Sequence, residues 1–93
     1  MSPAFSVVVR VVDRFLAGGD FMSFWSGIDG PLSDDIDQDQ FTSAEGSAFE
    51  RIHDLAALGQ ASSPTPGEAA DGLIGGKDLL ARVREWRSQL GPA

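Results

Sequence analysis

The chain has no cysteine and no tyrosine among its 93 residues. Without cysteine there can be no disulfide framework, thiolate metal site or Cys nucleophile, and the chain does not depend on an oxidising compartment. Basic residues are scarce: seven Lys and Arg stand against fourteen Asp and Glu, a formal charge of −7. Phosphate binding needs the opposite sign, so nucleic acid and anionic membrane are disfavoured as direct partners. Such a balance favours a basic protein partner, or merely keeps the chain soluble. Long apolar runs are missing too, as no window approaches the ~20 uninterrupted apolar residues of a membrane span. The opening MSPAFSVVVRVVDRFL carries Arg10 and Arg14 inside and after its apolar run, with Asp13 among them and no cationic stretch ahead. That order is not the pattern of a secretory leader, and a cytoplasmic location is the expectation.

What is present points to one small helical domain. The hydrophobic share is 42%, and six Phe with two Trp supply the bulk for one core. Ser2-Pro3 has the form of an N-cap followed by proline at the first helical position. Phe5, Val8, Val12, Phe15 and Leu16 then share one face, while Ser6, Arg10, Asp13 and Arg14 form the opposite stripe. The β-branched run from Val7 to Val12 makes a strand the rival, but a strand does not account for the continuation to Phe15-Leu16. Gly18-Gly19 ends this helix, and Asp20 caps a second with Phe21, Phe24, Trp25 and Ile28 on one face, stopped by Gly30-Pro31. Thr42 and Glu45 have capping-box spacing ahead of a third helix, which turns Ala44, Ala48, Ile52, Leu55 and Ala56 inward with Phe49 beside them. A loop rich in Pro, Gly and small residues follows, where Pro64 and Pro66 exclude a regular helix. The last helix carries the stripe Leu79, Leu80, Val83, Trp86 and Leu90 and closes at Gly91-Pro92. The expected fold is all-α, a small up-and-down four-helix bundle with helices at about 3–17, 20–29, 43–58 and 77–90 and a loop over 60–75.

The inventory argues against catalysis. A Ser–His–acid site would need the only histidine, His53, which sits at the edge of a polar helix face with no G-x-S-x-G stretch in the chain. The glycines before Lys77, in GLIGGKD, lack both the four-residue gap and the following hydroxyl of a phosphate loop. They read as helix punctuation. No enzyme activity and no cofactor are expected.

The segment PLSDDIDQDQF, residues 31–41, places Asp34, Asp35, Asp37 and Asp39 within six positions. Asp35, Asp37 and Asp39 fit the first three ligand positions of a calcium loop. Its glycine, however, is replaced by Gln40, and its bidentate glutamate by Gly46, with Glu45 one position early. Two defining positions fail together, so no specific metal site is expected. The remaining reading is a negative surface. Asp29, Asp34, Asp35, Asp37, Asp39, Glu45, Glu50 and Asp54 have only Arg51 and His53 nearby of opposite sign, the other basic residues lying in the first and last helices. Each carboxylate singly could be no more than solvated surface. Together, charge of one sign speeds association with an oppositely charged protein by ~10–10³-fold.

The order of segments also resembles a known family. RFLAGGDFMSFWSGI, residues 14–28, is similar to the opening of bacterial immunity proteins of the colicin D immunity type: a first helix ending in Phe-Leu, a glycine turn, and a capped second helix starting with an aromatic. LIGGKDLLARVREWRSQL, residues 73–90, resembles that family's leucine-led last helix, although Gly75-Gly76 stands where acidic residues commonly lead it. The resemblance implies a helical inhibitor that covers the basic substrate groove of a toxin domain, typically an RNA-cleaving one, with carboxylates in place of RNA phosphates. By position, Asp34, Asp35, Asp37, Asp39, Glu45 and Glu50 would be the partner-binding residues. Two alternatives stand beside it: a small adaptor bundle that self-associates through an apolar face bearing Trp25 or Trp86, and a calcium-responsive module.

Overall fold

A computed structural model describes residues 1–90, and the expected helix stop at Gly91-Pro92 lies outside them. Helix α1 spans Pro3–Leu16; the Ser2 hydroxyl accepts from the Phe5 N–H at 3.2 Å, and proline occupies the first turn. The valine run is helical: Val8, Val9 and Val12 are buried while Val7 faces solvent, a helical and not an alternating pattern. The helix ends in a Schellman turn, with Gly18 at φ +108° and the Gly19 N–H donating to the Arg14 carbonyl at 3.0 Å.

Asp20 caps α2, Phe21–Ile28, accepting from the Ser23 N–H at 3.0 Å and the Ser23 hydroxyl at 2.8 Å. The stacked rings of Phe15 and Phe24, 4.5 Å between centroids, join α1 to α2. Helix α3, Ser43–Leu58, starts from the predicted capping box: Glu45 N–H to Thr42 Oγ1 at 3.1 Å and Thr42 N–H to Glu45 Oε1 at 2.9 Å. Ala48, Phe49, Ile52 and Ala56 are buried as expected; Ala44, in the first turn, faces solvent instead. Two further helices follow, α4 over Pro66–Ala70 and α5 over Gly76–Gln89.

Four of these helices close a ring of neighbours, α1 against α2 and α5, and α3 against the same two. One hydrophobic cluster lies between them, in which Phe5, Val8, Val12, Phe24, Ile28, Ile52, Leu79 and Val83 are the largest fully buried members. Polar ties cross the ring. The Trp86 indole N–H donates to the Ala48 carbonyl at 2.8 Å, joining α5 to α3, and Arg87 Nε donates to Asp13 Oδ1 at 2.9 Å, joining α5 to α1. Trp25, by contrast, is only half-buried, lying over the backbone at Gly30.

The all-α class holds at the coarse level, with two departures in the segment read as a loop. Pro64 and Pro66 do not exclude a helix there: Pro66 occupies the first turn of α4, where its missing N–H costs nothing, and Thr65 with Glu68 forms a second capping box. The segment is also clasped by a parallel pair, β1 (Gly59–Gln60) with β2 (Ile74–Gly75), in the register Gly59 to Ile74 and Gln60 to Gly75. The close approach needs glycine at 75, where any Cβ would collide with the Ser62 carbonyl oxygen. Gly46 is the opposite case. It lies in the first part of α3 with an ordinary φ and no atom within 4 Å of where a Cβ would stand. Gly46→Ala should therefore stabilise the chain by about 1 kcal/mol, read as a higher denaturation midpoint at unchanged slope.

Candidate protein-binding surface

The acidic segment is neither helix nor free loop. It folds as two short 3₁₀ turns, Pro31–Asp35 and Gln38–Gln40, with Ile36 between them. Tight 3₁₀ winding rises ~2.0 Å per residue against ~3.3 Å in an extended chain, so it draws neighbouring carboxylates together. What holds like charges there is apolar anchoring. Ile36 is 7% exposed, buried in the core cluster, and Phe41 packs edge-on against Phe5 with centroids 5.6 Å apart and tilted against Phe49 at 5.4 Å. The backbone is thus pinned in the middle and at its end, and the polar side chains are left outside.

All four aspartates of the row, Asp34, Asp35, Asp37 and Asp39, are exposed. Asp37 has local work, capping the second turn by accepting from the Asp39 N–H at 3.2 Å and the Gln40 amide at 3.0 Å. Among the described residues, the carboxylates of Asp34, Asp35 and Asp39 accept no hydrogen bond, and none of the four enters an ion pair. Arg87 pairs instead with Asp13, and His53 Nε2 lies against Asp29. The arginines of α1 and α5 therefore do not neutralise the row. Glu50 is exposed on α3 and belongs with it: Gln38 of the second turn lines a shallow depression of about 230 Å³ together with Phe49, Glu50, His53 and Asp54. Asp54, left out of the predicted contact set, is exposed on the same depression. Its position one turn after Glu50 is the signal that finds it.

Glu45 is placed differently from the expectation. It is buried, and both its carboxylate oxygens are committed: Oε1 accepts from the Thr42 N–H and Oε2 from the Ser2 N–H, each at 2.9 Å. One side chain thus closes the start of α3 and ties it to the start of α1. Spacing within α3 discloses the first bond; the second spans 43 residues and leaves no local trace. The N–H donors of Thr42 and then Ser2 hold the Glu45 carboxyl below its ordinary value. The sign follows. Because the folded-state pKa is depressed, the stabilisation is complete at neutral pH, begins to fade near the ordinary Glu value of ~4.3, and is lost as pH falls through the lowered value. Glu45→Gln should flatten that acid-side loss in a stability-against-pH series, and should leave the charge of the aspartate row intact.

His53 sits at the boundary of α3, half-buried, with Nε2 directed at Asp29 of the α2 cap. Among the described residues, no group of three or more His, Asp or Glu converges on a point where a metal ion could sit. No helix among them is long and apolar enough to cross a membrane. No family model matches the chain, and no curated protein or solved structure is similar enough to count as a match. The function therefore has to be read from the surface itself.

Proposed function

We propose that this chain is a non-catalytic, cytoplasmic inhibitor of the immunity-protein kind. It would carry its acidic row on an up-and-down four-helix bundle and bind the basic groove of a toxin nuclease domain. The observation that carries the reading is the row itself: Asp34, Asp35, Asp37 and Asp39 are exposed, held on a segment whose Ile36 is buried, and among the described residues unpaired with any cation. Carboxylates in that state form charge-assisted hydrogen bonds with Lys and Arg, the same groups that hold RNA phosphates in a nuclease groove. Their fixed backbone spares a partner the entropy of ordering a loop. Glu50, on the adjoining depression, extends the face; Glu45, committed to the starts of α3 and α1, is not part of it. The resemblance of residues 14–28 and 73–90 to the colicin D immunity type favours the same reading.

The test is titration of the chain against a basic toxin nuclease domain, taken from a neighbouring gene where one encodes it. A one-to-one complex that protects RNA, and whose association rate falls at least about tenfold between low and high salt, is the expected result. The alternative, an adaptor acting through homo-oligomerisation, predicts a stable dimer in sedimentation and no inhibition. Trp86 gives that alternative no support, being 3% exposed and bonded to α3.

A further inference from the structure

Next to the aspartate row, α1 and α2 enclose a groove of about 380 Å³ that the charge argument leaves unused. Val7, Val11, Phe15, Phe24 and Leu32 form its apolar lining. Two of them are among the few large apolar side chains the chain leaves exposed, Val7 at 37% and Leu32 at 62%. Isolated exposed apolar residues are ordinary; an exposed pair on the wall of a concave site is not isolated. The first 3₁₀ turn sets the contrast, since it directs Ile36 into the core and Leu32 outward to the groove. Gly27 keeps the two helices close beneath, because a Cβ there would stand 2.9 Å from a Val11 methyl.

The rim decides the occupant. Asp35 lines the groove and is also a member of the exposed row, so the two features are continuous. Asp20 adds a second carboxylate, its oxygens held by Ser23, and Arg14 is the single cation on the wall. A second copy of this chain would bring another −7 against the same rim. A cationic partner gains from it.

Resting on the inhibitor reading above, we propose that this groove is the apolar anchor point of the interface. It would receive one aliphatic or aromatic side chain of a cationic protein segment, placed against Leu32 while the flanking Lys or Arg residues meet Asp35 and the row. Interfaces commonly draw most of their affinity from such a packed anchor inside a polar rim.

The test compares two probes, a short lysine peptide with one central leucine and its twin with serine in that place. The leucine peptide should bind the chain about tenfold more tightly and shift the methyl signals of Val7, Val11 and Leu32. Leu32→Ser, at an exposed position that should not disturb folding, should abolish that advantage and leave the affinity of the serine peptide unchanged. Equal binding of both peptides, with shifts confined to residues 34–39, would overturn the groove and leave the acidic face standing. Absence of binding by either would overturn both. A dimer in sedimentation that Leu32→Ser dissolves would show the occupant to be a second copy, and would overturn the cationic anchor.

Discussion

Changing Asp34, Asp35, Asp37 and Asp39 together to lysine is expected to weaken binding to the proposed cationic toxin partner by at least about 10³-fold while the chain stays folded. Each reversal removes an attraction and adds a like-charge contact, and a like-charge juxtaposition across an interface costs several kcal/mol. Successive members of the row are at most two residues apart, no more than ~7 Å of extended backbone, so each acts within a Debye length, ~8 Å at physiological salt, of its neighbour and a single replacement understates the effect. Folding survives because none of the four is buried or ion-paired, and surface replacements of this kind usually stay within ±0.5 kcal/mol. Asp37 is the exception to watch, since it caps the second 3₁₀ turn. The triple change Asp34, Asp35 and Asp39 to lysine keeps that cap and should lose most of the affinity by itself. Calorimetry with the toxin domain, alongside circular dichroism, reads both quantities. Affinity held within a few-fold in a folded quadruple variant would remove the row from the interface.

The second large effect is on stability. Trp86→Ala should cost about 3–5 kcal/mol, the range for aromatic-to-alanine changes in cores. The side chain is 3% exposed, lies tilted against Phe5 with centroids 6.2 Å apart, and carries the indole bond to the Ala48 carbonyl. Its loss opens a cavity where α1, α3 and α5 meet. At roughly 0.05–0.15 kcal/mol per residue, a chain of this length has about 5–14 kcal/mol in all. The variant should therefore melt at least about 12 °C lower, or fail to fold cooperatively at all. Trp86→Phe, which keeps most of the volume and loses the hydrogen bond, should cost only about 1–2 kcal/mol. A melting temperature unchanged in the alanine variant would mean that α5 is not held through this contact.

The helices were legible because their signals are local and periodic. Ser2, Asp20 and Thr42 are caps whose partners lie three residues on, and the predicted spans of the four longer helices differ from the observed ones by a residue at most at either end. The missed elements are those whose signals are short or conflicting. Thr65-Pro66-Gly67-Glu68 has the same T-x-x-E spacing as Thr42 to Glu45, yet its prolines read as breakers when one of them is an opener. The strand pair is two residues long on each side, too brief for any periodicity to register. Ile36 is a single apolar residue among aspartates, and only tertiary packing shows it to be the anchor. The charge of the candidate surface was readable from composition; which carboxylates remain outside was not. Glu45 left the exposed set because of a bond to Ser2 that no local pattern encodes, and Leu32 entered the groove by the twist of a 3₁₀ turn.

The parallel strands carry a practical corollary. They hold Gly59 beside Ile74 and Gln60 beside Gly75, so the stretch between the strands begins and ends at nearly one place on the scaffold. Lengthening a closed excursion costs little, about 0.6 kcal/mol for each doubling. Ala61, Ser62 and Ser63 are all exposed at its start. A fluorophore, epitope or immobilisation handle spliced beside them would report on complex formation from a spot where neither the aspartates nor the packed helices need be disturbed.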